Sequence, residues 1–313
     1  MATNPSILAT DYNVIQNNVQ TVLGTYYGQG VSSSAISVPV TNQNSTKITA
    51  LQWQNLYKDL LTAYNHQNAA NGTLTYPTTA ITIKYSDYQA YSLMGTTVLA
   101  NYSQFLSGYS ANQGLTTGTQ AANTWGSPGK NTVRHRVVLT FPSTAAVGYF
   151  FNSGGRILFS ASLTGGQTGV TTKDYSWNSM LDHMGTIYFG LTNAGTIAGA
   201  VTPGNAQGIG IQNLNSSNQL IYQKNTENAT YSPNQYDIFA NLVNNVLTFY
   251  AEFEDRSGTA TAYTVDETVS GVITSTVRMS YASGGVTGYT MDVSAYLPSV
   301  TASAMEIVDP YSP

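Results

Sequence analysis

The sequence predicts an α+β protein in which an N-terminal helical region is followed by an antiparallel β-sheet domain with short helices on one face. Two observations predict this order. In the first third of the chain, apolar residues recur with the spacing of amphipathic helices, whereas after residue 131 they mostly alternate with polar residues, as in strands that bury one face. The passage between them is rich in Gly, Ser, Thr, Asn and Gln. We therefore predict a helical docking or oligomerisation region at residues 1–106, a linker at 107–131 and an α+β body domain at 132–313.

Three helices are predicted in the N-terminal region. The first carries an apolar face that begins after Asp11 and ends at Gly24, because glycine commonly terminates helices. The second has the clearest signal, since Thr49 and Gln52 form a capping box ahead of an apolar face that includes Trp53. Further predictions are an end of the second helix at Asn71-Gly72, a third helix that opens at Ser86 with Gln89 as its capping partner, and a short strand at 81–84.

The body domain is predicted to contain mainly strands. Two of them flank Asn244-Asn245, a dipeptide that tolerates positive φ, and form a predicted β-hairpin. Two short helices interrupt the strands; Ser143 caps the first and Gly185 ends the second. The predicted strands are Thr132–Phe141, Arg156–Leu163, Thr186–Leu191, Gly208–Asn213, Asn218–Tyr222, Tyr236–Val243, Asn245–Phe253 and Val272–Tyr281, and the predicted helices are Thr144–Asn152 and Lys173–Met184.

Charged residues are scarce. They make up 8% of the chain, against about 25% in typical soluble domains, and there are 23 Tyr and no Cys. Protein interfaces are depleted of charged residues and enriched in aromatic ones, so this composition favours a homo-oligomer or a subunit covered by other proteins. The formal net charge is -4 and no basic stripe is visible, which argues against nucleic-acid binding. No apolar stretch approaches the roughly 20 residues of a membrane span, so no membrane insertion is expected.

A set of motifs carries a resemblance to a known family. The segment YFFNSGGRI at 149–157 is followed by FSAS at 159–162, GG at 165–166, Trp177, Leu181 and GTIYF at 185–189; in the N-terminal region, ITALQW at 48–53 and YNHQ at 64–67 add to it. These residues, within 47–70 and 132–190, resemble uncharacterised virion structural proteins of tailed bacteriophages of the marine and cyanobacterial type. The resemblance implies a tail-, neck- or fibre-associated subunit, located in the virion after synthesis in the host cytoplasm, with copies of itself and other virion structural proteins as partners.

The same motifs have a structural interpretation that needs no ligand. Gly154 and Gly155 are expected to supply positive φ where a helix ends and a strand begins. Trp177 and Leu181 are expected to hold the second body helix on the sheet. We interpret the motif as structural and predict no cofactor; its members are Trp53, Phe150, Gly154, Gly155, Trp177, Leu181 and Gly185.

The three histidines do not have the spacing of a zinc site. His66 and His183 fall in the last turns of predicted helices, where a cation suits the helix dipole. His135 shares a strand face with Val133 and Val137, and the flanking Arg134 and Arg136 share the other face. The arginines are consistent with an anion site, although a salt-bridged or solvated strand face is the preferred interpretation.

Carboxylates offer the nearest approach to a catalytic pattern. Glu252 and Glu254 share a strand face, Asp255 follows them, and paired carboxylates are what glycoside hydrolysis needs. We prefer to interpret them as charges at an exposed hairpin end, and Asp266-Glu267 as too sparse a pattern for a Ca²⁺ site. The sequence therefore predicts a protein that is not an enzyme, with no catalytic and no metal-binding residue. Two alternatives stay open: an adhesin that binds host-surface glycan through Tyr-, Asn- and Gln-rich loops, and a tail-borne polysaccharide-degrading enzyme.

Overall fold

The computed structural model describes residues 6–28, 37–41, 48–68, 72–80, 83–104, 110–122, 125–126, 132–197, 200–228, 230–257, 268–282 and 293–308. It contains N-terminal helices followed by antiparallel sheets with short helices, so the predicted α+β class is confirmed. The chain divides into two compact units. The helical unit comprises Met1–Ala111, Ala145–Gly155 and Tyr281–Leu297; the sheet unit comprises Asn112–Thr144, Arg156–Ser280 and Pro298–Pro313. The domain boundaries placed at 107–131 stay a prediction.

The first helix runs further than predicted. α1 spans Ala9–Gln20 and continues directly into a π-helical turn at Thr21–Tyr26. Gly24 therefore does not end the helix, and that prediction is wrong. The chain leaves the helical conformation at Gly28, whose φ of +69° is the left-handed geometry that glycine adopts at low cost.

The second and third helices begin close to their predicted starts. α2 spans Ala50–Gln67, and its predicted capping box is confirmed: the Thr49 side chain accepts from the Gln52 amide, and the Gln52 side chain accepts from the Thr49 amide. α3 spans Tyr85–Ala100, so it begins one residue before Ser86. Its cap was mispredicted, because Asp87 rather than Gln89 accepts the free Lys84 amide at 2.8 Å. The predicted end of the second helix at Asn71-Gly72 is wrong, because α2 ends at Gln67 and Asn68 is already extended. Asn71 itself and residues 81 and 82 lie outside the described residues, and Ile83 and Lys84 are not in a strand.

Aromatic rings form the centre of the helical unit. Trp53 of α2 makes edge-on contacts with Tyr12 of α1 and Tyr91 of α3, with ring centroids 5.3 and 5.1 Å apart. Both tyrosines are fully buried, and their hydroxyls donate to the backbone oxygens of Gln52 and Thr75. Each ring thus contributes buried apolar area without leaving its polar end unsatisfied. α4, Thr144–Asn152, carries the buried Phe150 and Phe151, whose rings pack edge-on against each other at 5.0 Å between centroids.

The sheet unit contains two sheets and one long helix. Every strand pair whose register is defined among the described residues is antiparallel. The strands are β1 Ser110–Gln120, β2 Thr132–Thr140, β3 Arg156–Thr164, β4 Ile187–Phe189, β5 Ala194–Thr196, β6 Asn205–Ala206, β7 Gln219–Asn225, β8 Gln235–Val243, β9 Val246–Glu254, β10 Val272–Ala282, β11 Ser299–Ala302 and β12 Glu306–Val308. One sheet has the order β1-β10-β3-β4-β5 and the other the order β11-β2-β9-β8-β7-β6, with β12 also paired to β2.

Phenylalanines join the two sheets. Phe249 of β9 packs edge-on against Phe159 of β3 and Phe189 of β4, at centroid separations of 5.0 and 5.2 Å. α5, Lys173–Met184, has the predicted bounds, begins after a Thr172 cap and ends at Gly185, whose φ is +66°. Its contacts with β3 bury its apolar face.

The strand predictions succeed where alternation is strong and fail where it is weak. The β8–β9 hairpin is confirmed, with Asn244 at φ 57° in its turn. The predicted strand Gly208–Asn213 is wrong, because Gly208 has positive φ and Ile211–Asn213 is a short 3₁₀ turn whose amides bond the backbone oxygens of Gly190 and Leu191. β1, β11 and β12 were not predicted, since they are short or rich in Gly, Thr and Gln and lack a regular apolar face.

Candidate functional site

The seven residues of the predicted motif lie in the interior of their units or at helix ends. Trp53 is in the aromatic centre of the helical unit, and Phe150 is buried on α4. Trp177 and Leu181 are buried on α5, and Gly185 ends that helix. The motif therefore falls into two sets, one in each compact unit.

The two glycines after α4 act in different ways. Gly154 has a φ of +88°, as expected. Gly155 does not have positive φ, so that part of the prediction is wrong. Its requirement is steric: a Cβ there would lie 2.6 Å from the Phe150 backbone oxygen, which accepts a hydrogen bond from the Gly155 amide. Glycine is needed at this position because the backbone passes close to the Phe150 oxygen, and not because φ is positive.

Trp177 belongs to an aromatic cluster that the sequence did not predict. Its ring packs against Trp125 at 5.3 Å and Phe253 at 6.2 Å between centroids. Trp125 was placed in the predicted linker, where no periodicity indicated burial. Its contribution could be anticipated only from its residue type, since a fully exposed tryptophan is uncommon.

Beside this cluster lies a buried ion pair. Lys173 Nζ is 2.8 Å from Asp255 Oδ2, and both side chains are completely buried. The ammonium also donates to the Gly126 backbone oxygen at 2.7 Å, and it lies 5.9 Å from the centre of the Tyr231 ring. The ion pair links the start of α5 to the residue after β9. It is fully enclosed, so it supports the fold and is not open to a ligand.

The next residue, Asp174, organises two loops. Its carboxylate accepts from the backbone amides of Gln167, Ser270 and Gly271, each at 3.0 Å, and also from the Ser270 hydroxyl. Such a set of donors satisfies a buried carboxylate without a countercharge. Asp174 thereby holds the loop after β3 against the start of β10, a role with no local sequence signal.

The histidines occupy three different environments. His66, expected to be a helix-end cation, is buried, and burial lowers its pKa to about 4 against the opposing effect of its 2.9 Å hydrogen bond with the Ser153 backbone oxygen. His135 is buried on the same strand face as Val133 and Val137, the face that it is predicted to share with them; burial lowers its pKa, and Nδ1 is 2.9 Å from the Ser275 hydroxyl. His183 Nδ1 lies 3.1 Å from the Glu227 carboxylate near the surface.

The predicted exposed hairpin end is wrong. Glu252, Glu254 and Asp255 are all buried, and the strands on either side of β9 place Arg134 and Asp237 directly opposite Glu252. Arg134 on β2 pairs with Glu252, with Nε 2.6 Å from Oε1, and Arg256 pairs with Glu254. The salt-bridged alternative is therefore confirmed for Arg134, while Asp266 and Glu267 lie outside the described residues.

A third buried carboxylate completes this cluster. Asp237 of β8 is directly opposite Glu252 and is only 2% exposed. Burial, reinforced by the charge of Glu254, raises its pKa to about 7, and its Oδ2 accepts a long 3.4 Å hydrogen bond from Gln223. Burial also raises the pKa of Glu252 despite the opposing Arg134 charge. We define Asp237, Glu252 and Glu254 as the carboxylate cluster, in which burial raises the pKa of Asp237 and of Glu252.

An open cleft lies elsewhere in the sheet unit, along α5. It has a volume of about 360 Å³ and is lined by Leu163 at the end of β3, by residues of the following loop and by one face of α5. The helix contributes Tyr175, Asn178, Ser179 and Asp182. This polar cleft, called the α5 cleft below, is a concave surface at which a small molecule has access to several side chains at once.

No family model, curated protein or solved structure matches the chain. Within the described ranges, no three or more His, Asp and Glu side chains are arranged to hold a metal ion. None of the helices in those ranges has both the length and the apolar character required to cross a bilayer.

Proposed function

We propose that this chain is a structural subunit of a tailed-bacteriophage virion, associated with the tail, neck or fibre and assembled as a homo-oligomer. Its partners are then copies of itself and other virion structural proteins, and it performs no catalytic step and needs no cofactor. The location in the virion comes from the resemblance of the 149–190 and 48–67 motifs. The proposed assembly is supported by the distribution of charged side chains between the interior and the surface.

The main support for this proposal is that the chain has few charged side chains and that many of them are buried. The chain has 11 Lys and Arg and 15 Asp and Glu. Buried charged side chains are Asp59, Lys173, Asp174, Lys224, Asp237, Glu252, Glu254 and Asp255. Among the described residues, the burial of these side chains leaves few charged groups at the surface. Such a surface loses little solvation energy when another protein covers it.

The outward face of α3 is one such surface. Its exposed positions include Ala90, Leu93, Thr96 and Ala100, and Leu93 is 70% exposed. The hydroxyls of Thr96 and Thr97 donate to backbone oxygens one turn earlier, at 3.0 and 2.9 Å. These hydroxyls are therefore satisfied within the helix and need no hydrogen-bond partner across an interface.

We assign this face to contact with a second copy of the chain. A two-fold axis brings the same patch of both subunits together, so an uncharged patch is complementary to itself where a strongly charged one would repel its copy. The buried state of the carboxylate cluster also favours a structural role over a polysaccharide-degrading enzyme. Glu252 is engaged by Arg134, and it is not presented to a polymer in solution.

Antibody labelling of purified tailed-phage particles tests the proposed location. Electron microscopy is expected to show the label at the tail, neck or fibre, and light scattering of the purified chain is expected to give a defined oligomer rather than a monomer. Particles that carry no label while the chain accumulates in the host lysate would contradict the virion assignment. A strictly monomeric chain that binds no protein of disrupted particles would contradict the assembly.

A further inference from the structure

The α5 cleft runs along most of one helix. Residues 174, 178 and 182 form one row of side chains and residues 175, 179 and 183 form the next, each with the four-residue spacing that places side chains above one another on a helix. From residue 174 to residue 182 the helix advances about 12 Å. The volume of about 360 Å³ lies near the lower end of the roughly 300–1,000 Å³ found for ligand pockets. The cleft therefore suits a short, elongated ligand.

The wall opposite α5 is held in place before any ligand binds. It is the loop after β3, in which Gly165 and Gly166 have φ values of +71° and +78°. Asp174 holds this loop through the Gln167 amide, and a Cβ on Gly166 would lie 2.7 Å from the Asp174 Cγ. Because the Asp174 carboxylate is occupied by its four donors, it forms part of the floor and leaves ligand binding to its neighbours. A preformed wall lowers the ordering cost of binding.

The available groups have a consistent chemistry. Tyr175 is 40% exposed and presents an aromatic surface, and Gln167 carries an amide that can both donate and accept. Asn178 Nδ2 donates to the Leu163 backbone oxygen at 3.3 Å, which leaves the Asn178 amide oxygen and a second N–H for a ligand. In the described part of the chain, the side chains of Ser179 and Asp182 make no hydrogen bond to other protein groups. His183 is held by Glu227, so the cleft has no strong cationic group of its own.

This combination distinguishes between ligand classes. An anionic ligand would be repelled by the exposed Asp182 carboxylate without a basic side chain to balance it. An apolar ligand would leave the amides and the carboxylate without partners, which is costly once water is excluded. A neutral polyhydroxylated ligand avoids both the charge repulsion and the loss of hydrogen bonds. Its ring C–H groups can pack on the tyrosine while its hydroxyls bond the amide and carboxylate oxygens.

We propose that the α5 cleft binds a short segment of neutral glycan, with Tyr175 as the packing surface and Asp182, Asn178 and Gln167 as the hydroxyl-binding groups. This site is independent of the proposed virion location and of the α3 face. It assigns a glycan contact to a helix surface, whereas the sequence suggested Tyr-rich loops.

Saturation-transfer NMR on the full chain tests the proposal. The probes are neutral tri- and tetrasaccharides built from glucose, galactose, mannose and N-acetylglucosamine, at millimolar concentration, with oligogalacturonate as the anionic comparison. At least one neutral probe is expected to bind. Tyr175→Ala is expected to weaken that binding by about ten-fold or more, equivalent to about 1.4 kcal/mol. Tyr175→Phe retains the ring and is expected to bind nearly as well, and Asp182→Asn is expected to weaken binding.

A matched control is Tyr76→Ala, because Tyr76 is 43% exposed but lies in the helical unit. It is expected to leave binding unchanged. Failure of every neutral probe to bind would overturn the proposal. So would tighter binding of oligogalacturonate, or neutral binding that Tyr175→Ala and Asp182→Asn leave intact. Circular dichroism of each variant establishes that the fold is retained.

Discussion

Asp237 illustrates, at the scale of a residue, how burial changes the state of a side chain. It is buried beside Glu252 and Glu254, and among the described residues no ion pair joins it to a basic side chain as Arg134 is joined to Glu252, although the charge of Arg256 partly opposes the rise of its pKa. Burial of a carboxyl next to other carboxylates disfavours its charged form and so raises its pKa. The carboxylate cluster consequently links protein stability to pH.

The pKa of Asp237 gives the direction of that link. It is about 7 in the folded protein, against 3.8 for an ordinary aspartate. Between these values the folded chain retains a proton that the unfolded chain has lost, so the free energy of unfolding falls as pH rises from about 4 to above 7. We expect Asp237→Asn to reduce this fall and to be more stable than the wild type at about pH 8, by at most about 4 kcal/mol.

Urea unfolding at about pH 5 and about pH 8 measures the effect. Asp182→Asn is the control, because Asp182 is exposed and its replacement is expected to leave the pH dependence unchanged. If the wild type and Asp237→Asn lost equal stability between these two pH values, the raised pKa of Asp237 would be contradicted.

At the scale of an element, the end of α4 depends on a close contact between two parts of the backbone. The helix ends with Gly154 in a left-handed conformation, and Gly155 then comes close to the Phe150 backbone oxygen. A side chain at Gly155 meets this oxygen as well as the Phe150 ring, and neither can move freely because Phe150 is fully buried.

We expect Gly155→Ala to lower the free energy of unfolding by about 1–3 kcal/mol, the usual range for forced overpacking. Gly148→Ala is the matched control within α4. The nearest atom to a Cβ there is Asn152 Nδ2 at 3.9 Å, so the substitution is expected to stabilise the helix by about 0.5–1 kcal/mol. Thermal and urea unfolding compare the two variants. A neutral Gly155→Ala would show that the close approach relaxes without cost.

At the scale of the whole molecule, assembly is expected to depend on neutral contacts. Attraction between apolar surfaces is not weakened by salt, whereas attraction between exposed charges is screened. Oligomers held by faces such as the exterior of α3 should therefore persist at high ionic strength. Introducing a charge there should oppose self-association, since the two-fold arrangement brings the new charge close to its own copy.

Leu93→Lys tests this expectation. We expect it to shift the chain towards monomer in light scattering, and high salt to restore part of the association by screening the new charges. Val201→Lys is the control, because Val201 is 69% exposed but lies in the sheet unit. Oligomers of unchanged size in Leu93→Lys would exclude the α3 face as the contact.

The sequence by itself determined the features that depend on residues close to one another along the chain. Spacing and local backbone chemistry predict the Thr49 cap, the bounds of α5, the Asn244 turn of the β8–β9 hairpin and the strand face that His135 shares with Val133 and Val137. The α+β class follows from the same patterns. On α5, Trp177 and Leu181 could be recognised as packing residues because their spacing places them on one helical face.

Only the tertiary structure decided which polar groups are buried and which can bind a ligand. Lys173 meets Asp255, Asp174 meets Ser270, and Arg134 meets Glu252 across separations of about 80 to 120 residues along the chain. A charge on a strand has the same local pattern whether water or another strand covers it. Glu252 therefore looked exposed in the sequence, and the α5 cleft was invisible there. Burial and pKa are properties of everything packed around a group, and strand pairing over long separations determines what that is.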